Sequence, residues 1–160
     1  MSNTLASNDI NDVVRTIFDT LHDTFKIKEI IIERRNFNLP LNESKSLNEG
    51  KIKYKLYITA SVLETPDLTA IFKAVKVMIV GEKDNLLADF KITYSFEIEK
   101  NNKYLIRNDD KYTIDTIAND FLNNIVIATT RGVLFSELRG TFLDKSILPI
   151  TKPEKVEESA

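Results

Sequence analysis

Two runs of strict alternation constrain this chain more than any other feature, because a two-residue period belongs to a β-strand with one face buried. In residues 86–99, Leu86, Ala88, Phe90, Ile92, Tyr94, Phe96 and Ile98 alternate with Leu87, Asp89, Lys91, Thr93, Ser95, Glu97 and Glu99. In residues 51–63, Ile52, Tyr54, Leu56, Ile58, Ala60 and Val62 alternate with Lys51, Lys53, Lys55, Tyr57, Thr59 and Ser61. Residues 72–81 read as a further strand, and Gly81-Glu82-Lys83-Asp84-Asn85 supplies the turn into the next. Residues 26–38 are β-branched, with Ile30, Ile31 and Ile32 in succession. Successive strand residues point to opposite faces, so this strand needs cover on both. Four antiparallel strands are predicted.

Helical spacing brackets them. Residues 8–25 place Ile10, Val13, Val14, Ile17, Phe18, Leu21 and Phe25 on one helical face, with Ser7 or Asn8 as cap and Asp9 and Asp12 in the first turn. Residues 112–139 carry Ile114, Ile117, Phe121, Ile125, Ala128, Gly132 and Phe135 at three- or four-residue spacing, a stripe whose first half is expected to meet the sheet. Leu122, Val126, Ile127, Val133 and Leu134 lie off that stripe, which predicts cover on a second side. Residues 100–111 read as polar loop. Residues 39–50 have loop composition yet contain Leu39, Leu41 and Leu47, and the tail 151–160 has no core content and is expected to be disordered.

The predicted fold is α+β: a four-stranded antiparallel sheet packed by a long C-terminal helix, with an extra N-terminal amphipathic helix, in one domain spanning residues 1–150. The first strand and the long helix are more apolar than a monomer of this size requires. Ile30, Ile31, Ile32, Val126, Val133 and Leu134 are therefore the candidates for a homo-oligomer interface.

Composition removes most catalytic chemistry. The 160 residues include no Cys and one His, which excludes disulfides, thiolate nucleophiles, Cys-ligated metals and paired-imidazole motifs. With 22 basic and 24 acidic residues the net charge is -2, lacking the basic excess that a nucleic-acid backbone demands. Nine Phe and five Tyr beside four Gly and four Pro favour packing or apolar binding over loop-built catalysis. Asp19, His22 and Asp23 share a helix face and are read as solvated rather than metal-binding. Asp109-Asp110 reads as a turn, Lys51, Lys53 and Lys55 with Tyr57 as a solvated strand face, and Asn42-Glu43-Ser44 as an uninformative glycosylation match. No enzyme, cofactor or metal is expected. The first eight residues lack a basic start followed by an apolar run, and no stretch approaches the ~20 apolar residues of a membrane span. A cytoplasmic location is the expectation.

The run Leu138-Arg139-Gly140-Thr141-Phe142 after the long helix, with Arg131 inside that helix and Ile147-Leu148-Pro149-Ile150 beyond it, resembles the SecB family of protein-export chaperones. Phe25-Lys26-Ile27-Lys28 leading to Phe37 looks like that family's first strand, and the loop, three strands and helix follow in the family's order, over about residues 25 to 150. The resemblance implies a dimer of dimers whose apolar grooves hold unfolded polypeptides without ATP. A fully buried Leu or Phe is worth ~1.5–3 kcal/mol, while association and chain ordering cost several kcal/mol or more, so several anchors must act together. The groove candidates are Phe37, Leu39, Leu41 and Leu47 with Phe142, Leu143, Ile147 and Leu148. Gly140 reads as the left-handed residue that stops the helix.

The chain departs from that family in two places. Related chaperones dock the motor SecA through acidic residues on the sheet's outer face, where this chain reads Glu33-Arg34-Arg35-Asn36-Phe37-Asn38. The family's C-terminal helix is replaced by a short charged tail. SecA docking is therefore in question, and unfolded preproteins or one dedicated client, such as an antitoxin, are the expected partners. The alternative is a non-chaperone adaptor that binds one folded protein.

Overall fold

A computed structural model describes residues 5–38, 52–66, 68–146 and 148. The expectations for Leu39, Leu41, Leu47, Ile147 and the tail 151–160 lie outside the described residues. The elements in chain order are α1 (Leu5–Thr24), β1 (Lys26–Phe37), β2 (Lys53–Glu64), β3 (Leu68–Val80), β4 (Leu86–Glu99), β5 (Leu105–Asn108), β6 (Lys111–Ile114) and α2 (Thr116–Leu138). The α+β architecture read from the alternation is the one observed.

All pairings in the main sheet are antiparallel, in the order β1-β4-β3-β2, so β1 and β2 sit at opposite edges although they are consecutive in sequence. The register aligns the two alternating runs: Leu56, Val77 and Phe90 form one cross-strand row, and Ile58, Val75 and Ile92 the next. Opposite residues in a pair share a face, so these rows build one continuous apolar surface. Ile71, Val75, Val77, Ile79, Phe90, Ile92, Tyr94 and Phe96 on it are fully buried.

Helix α2 covers that surface, starting from Asp115, whose side chain caps the Ile117 and Ala118 amides. Its buried residues are Ala118, Phe121, Leu122, Val126, Ile127, Thr130, Leu134 and Leu138. Of the half-stripe expected to meet the sheet, Phe121 is buried and Ile125 packs against the core, whereas Ile117 is 57% exposed, which corrects the expectation there. The rest of the stripe is turned outward, with Phe135 61% exposed, and Leu122, Val126, Ile127 and Leu134 off the stripe supply most of the helix's core contacts. Two long-range polar pairings accompany this apolar burial. Tyr94 Oη and Thr130 Oγ1 are 2.6 Å apart in the core, and the Lys73 ammonium donates to Asn119 and Asn123 Oδ1. Each pairing satisfies groups that would be costly to bury alone, which lets the face bearing Thr130 turn inward.

Three boundaries differ from the periodicity. β3 begins at Leu68 rather than Phe72, and the polar stretch before α2 holds the β5–β6 hairpin, closed by Asp109-Asp110 with Asp109 at φ 51. Tyr112 and Ile114, expected in the helix, belong to β6. α1 begins at Leu5, so Ser7 and Asn8 lie inside the helix and cannot cap it. Leu21 near its end and Phe25 just beyond it are buried, packing Phe25 on Tyr104 and Phe121, whereas Val13 and Phe18 are 58% and 53% exposed. Most of the expected apolar face of α1 is therefore uncovered.

Candidate functional site

The Arg-Gly-Thr-Phe run sits where α2 ends, and its geometry explains each residue. Gly140 adopts φ 76, a left-handed conformation that costs a side-chain-bearing residue roughly 1 kcal/mol or more. The next residue folds back: Thr141 donates from its amide (3.0 Å) and its hydroxyl (2.7 Å) to the Leu138 carbonyl, and the same hydroxyl accepts from the Leu143 amide at 3.1 Å. Arg131 Nε donates to the Leu148 carbonyl at 3.0 Å, holding the segment against the helix it has just left.

This return places Phe142 beside the end of β1. Phe37 stands opposite Ala88, whose small side chain leaves it room to lie edge-on to Phe90 at 5.6 Å and to Phe142 at 6.5 Å between ring centroids. Such pairs add about 0.5–1.5 kcal/mol beyond area burial. Phe37 and Phe142 are both half-buried, so part of each ring remains for a ligand. Arg35, in register with Phe90, reaches Glu137 of α2 at 2.5 Å and ties this corner of the sheet to the helix. The Tyr54 hydroxyl faces Ser146 without forming a hydrogen bond of ordinary geometry, and burial raises its pKa. The corner is thus an apolar pair of rings framed by one ion pair and a turn.

Of the groove candidates, the structure brings together Phe37 and Phe142. Leu143 and Leu148 are 1% and 2% exposed within the chain's own core, where they anchor the turn rather than present a surface. Among the interface candidates, Ile30 and Ile31 are exposed on opposite faces of β1, opposite Tyr94 and Thr93 respectively, and Ile32 is half-buried. Val126 and Leu134 are buried beneath α2 in their own subunit, leaving nothing for a second one, and Val133 packs against the core. Ile117, in the half-stripe expected on the sheet, lies on the surface instead, and so does Phe135 at the far end of the stripe, which was not among the interface candidates. His22 is exposed and lies edge-on to Phe121 at 6.1 Å. Among the described residues no cluster of His, Asp and Glu is placed to hold a metal ion, and no helix is long and apolar enough to cross a membrane.

No family model matches the chain, and no curated protein matches its sequence. Among solved structures it is similar to the SecB-like chaperone of Mycobacterium tuberculosis, determined in complex with a ChAD peptide from the HigA1 antitoxin. The two are 15% identical, the match covers 84% of this chain and 94% of the other, and the TM-score is 0.51. The fold is SecB-like.

Proposed function

We propose that this chain is an ATP-independent holdase that captures a dedicated unfolded client in an apolar groove running past Phe37 and Phe142. The observation that carries the reading is the half-open aromatic corner those two residues form, positioned by the Gly140 turn and the Arg35–Glu137 pair. Its fold-level support is the likeness to a SecB-like chaperone that holds an antitoxin peptide. A dedicated client fits better than general protein export, since Arg34 and Arg35 occupy the strand end where acidic residues would serve motor docking. The working unit is a homo-oligomer, a dimer of dimers acting in the cytoplasm. Its contacts are Ile30 of β1 together with the outward face of α2 at Phe135, which replaces Val126 and Leu134, while Ile31 on the other face of β1 stays outside the interface.

The test is the light scattering of reduced insulin and of two denatured enzymes, with the protein at equimolar subunit concentration and no nucleotide. Suppression is expected, reduced in the Phe37→Ser/Phe142→Ser variant while its circular dichroism stays native. Unchanged aggregation of all three clients overturns the proposal, and capture of one folded protein with indifference to unfolded chains establishes the adaptor instead.

A further inference from the structure

The face of the sheet turned away from α2 carries an arrangement that the groove does not use. Register places Arg34, Lys91, Lys76 and Tyr57 in one row across all four strands. A row of that kind spans about 14 Å at the usual strand spacing. Lys76 and Lys91 stand directly opposite each other on the two central strands, a like-charge pairing that destabilises a sheet. Three neighbours are compensated: Lys91 by Glu33, Arg34 by Asp89 at 3.5 Å, and Lys55 by Asp84 at 3.7 Å. Lys76 has no acidic or hydrogen-bond partner among the described residues. The next rows on the same face hold Ile31, 45% exposed, and Phe72, half-buried. These rows are roughly 7 Å apart, the repeat of two residues along a strand.

We propose that this outer face is a second binding surface, for an acidic polypeptide segment whose carboxylates meet Lys76 and its row while its apolar side chains cover Ile31 and Phe72. The carboxylates supply the counter-charge that the protein withholds from Lys76. A nucleic acid fits worse, because three of the four cations already have carboxylate partners. The surface is independent of the groove, since Lys76 and Phe37 point from opposite faces of the sheet.

The experiment is fluorescence anisotropy of the full chain with three labelled probes: a peptide of alternating Glu and Leu, its Gln-Leu counterpart, and a uridine oligomer. The Glu-Leu peptide is expected to bind about tenfold more tightly than the Gln-Leu peptide, and Lys76→Glu to abolish that advantage while Lys76→Arg keeps it. Because Lys76→Glu converts a like-charge pair into an attractive one, it should also raise the urea midpoint, so weaker binding could not be blamed on a damaged fold. Equal affinity for the two peptides, an undiminished Glu-Leu advantage in Lys76→Glu, or tighter binding of the uridine oligomer would each overturn the proposal. Client protection in the aggregation assay is expected to be unchanged in Lys76→Glu, which separates this surface from the groove.

Discussion

Lys73 offers the sharpest physical test of how α2 is held on the sheet. It is 1% exposed, its ammonium donates to Asn119 and Asn123 on successive turns of α2, and among the described residues no carboxylate pairs with it directly. Burial lowers its pKa from 10.5 to about 8, opposed only in part by the charge of Asp120. The unfolded chain therefore binds more protons than the folded one between about pH 8 and 10.5, and stability must rise with pH across that window. Below it the ammonium is charged in both states and its burial cost is felt in full. The drop corresponds to roughly 3 kcal/mol in total, and to roughly 2 kcal/mol between pH 7 and 9.5. Lys73→Met keeps the length and removes the titration. Asn119 and Asn123 are half-buried and can turn to water, so the variant should be at least as stable as the parent at pH 7. The measurement is urea unfolding of both proteins at pH 7, 8.5 and 9.5 with matched m-values. Taking the difference between them cancels every other titrating group. The gap should shift by roughly 2 kcal/mol in favour of the parent as pH rises. Parallel pH profiles would show that the ammonium is not desolvated by α2, and the account of the interface would fail.

Three further outcomes follow from the same structure. Tyr94→Phe should cost roughly 1–2 kcal/mol by stranding Thr130 in the core, with a double-mutant cycle against Thr130→Val assigning the loss to that pair. Burial pushes Tyr94 up to about 12, so the parent should lose stability as pH climbs from about 10 towards 12, and in Tyr94→Phe that component of the loss should be missing. Gly140→Ala, forced to keep φ 76, should lose about 1 kcal/mol in thermal unfolding; an unchanged melting temperature would mean that the turn relaxes freely. Phe135→Asp should lower the mass found by light scattering behind size exclusion, and an unaltered mass would take the outward face of α2 out of the assembly.

The candidate site was legible where it depends on local chemistry. Gly140 after a helical pattern is a stop signal in any context, and Phe142 follows it in sequence as in space. Phe37 could be nominated because it ends a strand, yet its meeting with Phe142 spans more than a hundred positions and rests on the antiparallel pairing of β1 with β4. Leu143 and Leu148 looked the same in sequence as Phe142, and only the return of the chain past Arg131 separates anchor from surface. The outer cationic row was invisible for a related reason: Arg34, Tyr57, Lys76 and Lys91 come from four strands, and register alone aligns them.

By itself the sequence determined that 51–63 and 86–99 are half-buried strands, because a two-residue period has one structural solution, and it determined where α2 stops; the order β1-β4-β3-β2 came only with the fold. It did not determine which face of α2 turns inward. Two apolar stripes compete on that helix, and the one chosen contains Thr130, with Asn119 and Asn123 beside it, residues that look like solvent-facing positions when read along the chain. Tyr94 and Lys73 reverse their meaning. A buried polar group is tolerable only once its partner is in place, and those partners are on other strands of the folded chain.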